Sequence, residues 1–286
     1  MVLHFNVRLI NYPNGERQLR YYSVPQYLKD ELPQDLEVKK KKEKRKEFEK
    51  THALEPFTNT WVKEIDTFED AAPDTSDNKH SFFVSVNRSK NAVYSYARCE
   101  IWEWFVTFTI NAKNKDRYDY DECSKAVRQW LNNQRKRYAP DLKYLVVPEK
   151  HEDGAWHFHG VLCNTGEMTF TYSGFRDKKG KMVFNCDNYS LGFTTATRVQ
   201  NVHKVAKYVG KYITKTLCEL TPGRQRYFVS KTINKPDSLV MMFDRDEDDL
   251  YDFVVTLANS CGQELKHVSS VGNEKSYTKV KYFEIQ

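Results

Sequence analysis

The sequence has few cysteines, and none of them are closely spaced. Its six cysteines are spread over 286 residues without a C-x-x-C pair. A chain of this length does not need disulfides to hold a core together. This pattern argues against a small disulfide-rich secreted domain and predicts free thiols in a reducing cytoplasm.

The sequence also lacks long apolar runs. No uninterrupted stretch approaches the roughly 18 residues that span a bilayer, and the first residues do not follow the basic-then-apolar order of a signal peptide. We therefore expect neither membrane insertion nor secretion.

Charge of one sign is in only small excess. The chain has 45 Lys and Arg against 39 Asp and Glu, a net charge of +6. Acidic residues are concentrated at 244–252, which leaves the rest of the chain more basic. A polyanion would therefore contact the front and middle of this protein.

Hydrophobic periodicity predicts an α+β fold with a central antiparallel sheet flanked by helices. Residues 3–24 read as a β-hairpin around Pro13-Asn14-Gly15. A loop at 71–80 precedes a helix at about 86–99, and a second helix, capped by Asp119 or Asp121, ends before Pro140. The other expected elements are strands at 102–110, 144–149, 155–163 and 191–198, a β-excursion at 166–189, and a solvated helix or flexible link at 39–50.

Two histidines are the most informative local feature. In W-H-F-H-G (residues 156–160), strand alternation points His157 and His159 to one face, where they can hold one metal ion. The same spacing is also typical of core or solvent-facing histidines. Glu149 lies across a short turn, so the two predicted strands pair and bring a carboxylate to the histidines.

Two tyrosines form a second pattern, Y-V-G-K-Y-I-T-K at residues 208–215, within one predicted helix. Four residues of helix place Tyr208 and Tyr212 one above the other, with Cβ atoms about 5–6 Å apart. They either face one site or line the margin between core and water. Gly210 costs the helix about 1 kcal/mol relative to Ala, which invites an explanation such as close approach of a ligand.

Three segments together resemble the motifs of rolling-circle replication initiators, the HUH endonuclease superfamily. They are F-V-T-F-T (105–109), W-H-F-H-G (156–160) and the tandem Tyr208-x-x-Lys211-Tyr212-x-x-Lys215, within about residues 86–220. The tandem tyrosines are similar to those of phage and plasmid initiators. No G-x-x-x-x-G-K-[ST] motif is present, so a helicase domain is not expected. The resemblance implies an RRM-like sheet and a division into an N-terminal hairpin and charged segment (1–85), an endonuclease domain (86–220) and a C-terminal segment (221–286).

The resemblance also implies a mechanism. Glu149, His157 and His159 would hold Mn²⁺ or Mg²⁺, because a phenol with a pKa near 10 attacks a phosphodiester only with charge compensation. Tyr208 and Tyr212 would form a 5′-phosphotyrosine link, free a 3′-hydroxyl primer and later rejoin the strands, and the comparison favours Tyr212 as the first nucleophile. Lys211 and Lys215 would stabilise phenolate or steer phosphate. A closed zinc site with Cys163 as a fourth ligand stays open as an alternative.

The implied partner is single-stranded origin DNA, with a host helicase and polymerase, in the cytoplasm of a bacterial cell. Candidate phosphate contacts are Arg176, Lys178, Lys179, Lys181 and Lys204, although lysines in a turn or on a helix are also typical of an ordinary solvated surface. Two other functions stay open. One is a conjugative relaxase or transposase of the same chemistry, and the other is a non-enzymatic nucleic-acid-binding module with incidental histidines.

Overall fold

The computed structural model describes residues 3–28, 52–54, 61–63, 75–214, 217, 220–221, 224–271 and 279–286. Their helices include α1 (Thr75–Ala97), α2 (Tyr120–Arg137), α3 (Val202–Lys211) and α4 (Glu247–Ser260). Their strands are β1 (Leu3–Asn11), β2 (Arg17–Leu28), β3 (His52–Leu54), β4 (Trp61–Lys63), β5 (Trp104–Ile110), β6 (Lys143–Lys150), β7 (Trp156–Cys163), β8 (Phe170–Arg176), β9 (Met182–Cys186), β10 (Gly192–Arg198), β11 (Phe228–Val229), β12 (Asp237–Met241), β13 (Leu265–Val271) and β14 (Val280–Ile285). These elements confirm the predicted α+β fold with antiparallel sheets and flanking helices.

The largest sheet has seven strands in the order β11-β6-β7-β5-β10-β9-β8, and every neighbouring pair is antiparallel. Alternation along β5 buries Trp104, Val106 and Phe108 on one face, where Trp130 of α2 packs against Phe108. The opposite face of β5 is therefore left for more polar side chains. Strands β6, β7 and β5, adjacent in this sheet, carry most of the residues singled out by the sequence.

The hairpin of β6 and β7 is set by its turn. His151 N donates to Ala155 O, Gly154 N donates to His151 O, and Gly154 adopts a φ of 86°. Because glycine has no Cβ, it enters this left-handed conformation without steric cost. The turn fixes the pairing register of the two strands.

Helix α2 begins where a side chain caps it. The Asp119 carboxylate accepts hydrogen bonds from the backbone N–H groups of Asp121 and Glu122, so Asp119 rather than Asp121 is the N-cap. Acidic residues lie in the first turn and basic residues in the last, which suits the helix dipole.

Helix α1 starts earlier than the sequence indicated. It begins at Thr75 and not at about residue 86, so the predicted loop at 71–80 is wrong from Thr75 onward. Thr, Ser and Asp are as common at helix N-termini as in loops, which explains the error. Residues 71–74 and the lysine-rich stretch at 39–50 lie outside the described residues.

The chain divides into two compact units. One comprises residues 1–9, 18–75 and 239–285, and the other comprises residues 10–17, 76–238 and 286. The first contains a five-stranded sheet in the order β12-β1-β2-β14-β13 and a separate core that includes Val7, Leu19, Leu250, Val254 and Phe283. Strands β1 and β2 are neighbours, which confirms the predicted N-terminal hairpin. The proposed boundaries at 85 and 220 stay predictions.

The thiols and the helix lengths can be compared with the expectations from composition. Cys99, Cys123, Cys163, Cys186 and Cys261 are all free thiols, and the first four are buried. In the same described part of the chain, every helix is too short or too polar to cross a membrane.

Candidate active site

The site begins with the pairing of β6 and β7. Their register sets Glu149 directly opposite His157 and Val147 opposite His159. Both imidazoles lie on one face of the sheet, because side chains two residues apart in a strand point the same way. The carboxylate reaches diagonally along this face, and Glu149 Oε2 lies 2.7 Å from His159 Nε2.

The ring of His159 is held at both nitrogens. Its Nδ1 lies 3.1 Å from Thr107 Oγ1 on β5, whose register places Thr107 opposite His159. In the neutral ring Nε2 donates to Glu149 and Nδ1 accepts from the Thr107 hydroxyl. His159 is only 8% exposed, so these contacts fix its orientation. The sequence placed Thr107 in a motif but did not assign it this contact.

His157 has a different neighbour. Its ring stacks on that of His151, with centroids 4.9 Å apart and planes 17° apart, and His151 Nδ1 lies 3.3 Å from Asp153 Oδ1. Burial lowers the pKa of His157, and the nearby charges of His151 and His159 lower it further. The ring therefore stays neutral to a lower pH than a free histidine, which is the form that binds a metal. Sequence reasoning assigned His151 no role.

The three donors fit a divalent ion in chemistry but are not gathered around one point. The hydrogen bond from His159, with the charges of the neighbouring histidines, lowers the pKa of Glu149 despite burial, so the carboxylate is ionised. One carboxylate and two imidazoles suit Mn²⁺ or Mg²⁺. However, no three His, Cys, Asp or Glu side chains among the described residues lie close enough together to hold an ion. Coordination would require the contact between Glu149 and His159 to open and His157 to turn away from His151.

Cys163 is poorly placed to be a fourth ligand. It lies four residues beyond His159 on β7, about 13 Å along the strand. Burial, with the charges of Glu100 and Glu103, raises the pKa of its thiol to about 12. The thiolate that zinc prefers is therefore not available at neutral pH.

The tyrosines lie at the end of α3. Asn201 caps the helix by accepting from Lys204 N, and Ala206 and Val209 are its buried side chains. The helix ends at Lys211, and Tyr212 is its C-cap, so the prediction of one helix through Lys215 is wrong. The last turn tightens, because Tyr212 N donates to Val209 O.

The reason for this end lies just beyond Tyr212. Thr214 Oγ1 accepts a hydrogen bond from Leu217 N at 2.9 Å, as an N-cap does, so the chain starts a new turn there. Threonine competes with a continuous helix in this way because its hydroxyl satisfies backbone N–H groups.

The tyrosines nevertheless converge on the histidine site. The ring of Tyr212 stacks on His159, with centroids 3.9 Å apart and planes 1° apart. The ring of Tyr208 meets Tyr212 edge-on at 5.5 Å and Phe105 of β5 edge-on at 5.1 Å. Tyr208 is 43% exposed, whereas Tyr212 is half-buried. The structure thus brings Tyr208, Tyr212, His159 and Glu149 into one cluster, and Phe105 is a member that sequence reasoning left without a role.

The surroundings of Tyr212 favour its protonated form. Burial raises the pKa of this phenol, and a hydrogen bond with Tyr208 and the negative charge of Glu149 raise it further. Tyr212 is therefore a weak nucleophile until positive charge reaches the site.

The predicted basic residues fall in two places. Lys211 Nζ lies 5.6 Å from the centroid of the Tyr208 ring, and Lys204 is exposed in the first turn of α3. Lys215 lies outside the described residues. The other four, Arg176, Lys178, Lys179 and Lys181, share the turn between β8 and β9, which confirms the predicted β-excursion.

That turn is organised by Asp177. Its carboxylate accepts from the backbone N–H groups of Lys179 and Lys181, and Arg176 donates to Gly180 O. Lys178 and Lys179 are exposed, and Lys181 is half-buried. The arrangement presents several positive side chains on a defined turn, whether or not DNA contacts it.

Gly210, between the tyrosines, is not required by packing. A Cβ added there meets no atom within 4 Å. We expect Gly210→Ala to stabilise the protein by about 1 kcal/mol, because alanine is the better helix former, and to raise the melting temperature by about 2–4 °C. Gly192→Ala is the contrasting variant: its Cβ would lie 2.1 Å from Thr109 O, so it should destabilise. A lower melting temperature for Gly210→Ala would show that α3 needs glycine in the free protein.

Comparison with protein families covers this same region. Residues 103–217 match a family described as Replication-associated protein, of the ORF2 type. Searches of curated proteins and of solved structures gave no match. The matched range includes β5, β6, β7 and α3, and therefore every residue of the cluster described above. The segment that carries the candidate site is thus similar to the replication-associated proteins of this family.

Proposed function

We propose that this protein is a replication initiator that nicks single-stranded origin DNA by tyrosine attack and later rejoins the strands. The observation that carries the proposal is the stacking of Tyr212 on His159, which is itself bonded to Glu149. A candidate nucleophile thus touches a candidate metal ligand. The match of residues 103–217 to a replication-associated family supports the biological setting.

The reaction is a transesterification. The tyrosine oxygen forms a bond to phosphorus while the bond from phosphorus to the 3′-oxygen breaks, and the phenol proton ends on the released 3′-hydroxyl. A Mn²⁺ or Mg²⁺ ion held by Glu149, His157 and His159 would neutralise the non-bridging oxygens and favour in-line attack. Thr107 orients His159 from behind, as hydrogen-bond partners of metal ligands do.

Two adjacent tyrosines extend this chemistry to a cycle. One holds the 5′ end as a phosphotyrosine, and the second, 5.5 Å away between ring centroids, attacks the next strand without either end being released. The ammonium group of Lys211 lies beside Tyr208 and stabilises its phenolate. Because each bond to phosphorus is replaced by another, the joining step needs no external energy source.

The partners follow from the products. The freed 3′-hydroxyl is a primer for a host polymerase, and a host helicase would separate the strands. Positive side chains on the turn between β8 and β9 and on α3 would contact phosphates. A relaxase or a transposase would share the cleavage step but act on a different DNA.

The test uses a random-sequence library of single-stranded oligonucleotides with Mn²⁺. We expect cleavage of a subset of sequences and a covalent adduct between the protein and the 5′ end of one product, seen on a denaturing gel. Chelation of the metal should prevent both. Binding without cleavage would favour the non-enzymatic module, and cleavage that leaves a free 5′-phosphate would exclude tyrosine attack.

A further inference from the structure

The tyrosine-bearing helix is held by few apolar contacts of its own. Its buried side chains are Ala206 and Val209, both small. Small side chains bury little area, so they only weakly resist sliding or rotation of the helix. The polar contacts at its N-terminal end therefore matter for its position.

Those contacts converge on one carboxylate oxygen. His203, the second residue of α3, places Nε2 2.9 Å from Glu16 Oε2, and Arg98 NH2 lies 3.0 Å from the same oxygen. Glu16 lies between β1 and β2 and belongs to the same compact unit as α3. The side chain of Gln286 also hydrogen-bonds His203. A negative charge beside a helix N-terminus is favoured by the helix dipole.

Arg98 makes this anchor rigid. It follows α1 directly and is fully buried, with its guanidinium carbon 4.0 Å from the centroid of the Tyr12 ring. Its NH1 lies 3.5 Å from Tyr94 OH. Burial raises the pKa of Glu16, but hydrogen bonds from His203 and Arg98 and their charges outweigh it and lower that pKa to about 2. The carboxylate is therefore ionised at every pH at which the protein would work.

We propose that Arg98, Glu16 and His203 are positioning residues that set the height and rotation of α3, and thereby decide which tyrosine lies against His159. The proposal rests on the proposed function. His203 is five residues before Tyr208, about 7.5 Å along the axis, so a shift at the anchor is carried to the tyrosines by a rigid helix. Removing a buried charged pair can leave stability nearly unchanged, whereas a misplacement of about 1 Å can cost a hundredfold in rate.

The experiment compares His203→Leu, which removes the donor to Glu16, with His203→Gln, which keeps an N–H in reach. Glu16→Gln removes the charge that both partners share, and His267→Leu, at an exposed histidine on β13, is the matched control. Each full-length variant is tested for melting temperature, single-strand binding, single-turnover nicking with Mn²⁺, and the linked tyrosine, located by mass spectrometry of the peptide adduct.

We expect His203→Leu and Glu16→Gln to slow nicking roughly tenfold to a hundredfold and to redistribute the adduct between Tyr208 and Tyr212, with binding unchanged. His203→Gln and His267→Leu should behave as the unaltered protein does. If His203→Leu fails to fold, Glu16→Gln decides.

Unchanged rate and unchanged adduct distribution in a folded Glu16→Gln protein would overturn the inference and leave the proposed function standing. A lower rate with the adduct distribution intact would also overturn it, because a purely structural role predicts that result. Absence of any adduct in the unaltered protein would instead overturn the proposed function, and the inference with it.

Discussion

Replacing Tyr208 and Tyr212 together by phenylalanine abolishes covalent capture of DNA, and this is the largest effect we expect. Phenylalanine keeps both rings, so the stack on His159 and the edge-on contact between the tyrosines survive. Only the two hydroxyl oxygens are lost. Since removal of a nucleophile costs an enzyme several orders of magnitude, adduct formation should fall by at least about a thousandfold.

The single variants separate the two roles. Tyr212→Phe should cause the larger loss of single-turnover nicking, because Tyr212 is the tyrosine that touches His159. Tyr208→Phe should allow the first cut and impair the joining step. Tyr251→Phe, an exposed tyrosine on α4, is the control and should have no effect. A double variant that still captures DNA would show that neither residue is the nucleophile.

Replacing His157 and His159 together by alanine should eliminate metal-dependent nicking while leaving most single-strand binding. The two imidazoles are two of the three proposed donors, and the carboxylate of Glu149 alone would bind Mn²⁺ only weakly. Isothermal titration with Mn²⁺ measures the loss directly. His151→Ala is the control: His151 stacks on His157 but is not among the proposed donors, so metal binding should persist. Unchanged nicking in the double variant would exclude the site.

A milder variant tests the support of His159. Thr107→Val keeps the shape of the side chain but removes the hydroxyl that bonds His159 Nδ1. Loss of such a partner usually costs about 10–100-fold in metal affinity or activity. An intermediate effect, between the unaltered protein and the histidine double variant, would indicate that Thr107 orients a ligand.

The pH dependence of metal binding follows from the same groups. The pKa values of Glu149 and His157 are both lowered, so protons compete with the metal only at a lower pH than for free side chains. Mn²⁺ binding should therefore persist below the ordinary histidine pKa of 6.5 and be lost on further acidification. The hydrogen bond between Glu149 and His159 also favours the fold above the ordinary glutamate pKa of 4.5, and that contribution disappears as pH falls through the lowered value.

Much of the fold was predictable because the signals are local. Alternation of apolar residues located β5, β6, β7 and β10 to within two residues, and the short turn at Gly154 set the pairing of Glu149 with the histidine strand. Asp119 was recognised as a possible cap from its position alone. The errors were also local: the start of α1 at Thr75 and the end of α3 at Lys211 depend on polar residues that cap helices as readily as they form loops.

The amino-acid sequence alone decides which face of β7 carries His157 and His159, and that two phenols follow at helical spacing, because both depend on backbone periodicities of a few residues. Folding decides the rest. The contact of Thr107 with His159 joins residues 52 positions apart, and the stack of Tyr212 on His159 depends on where α3 docks on the sheet. Such contacts arise from strand register, helix placement and side-chain rotamers, which no pattern along the chain specifies.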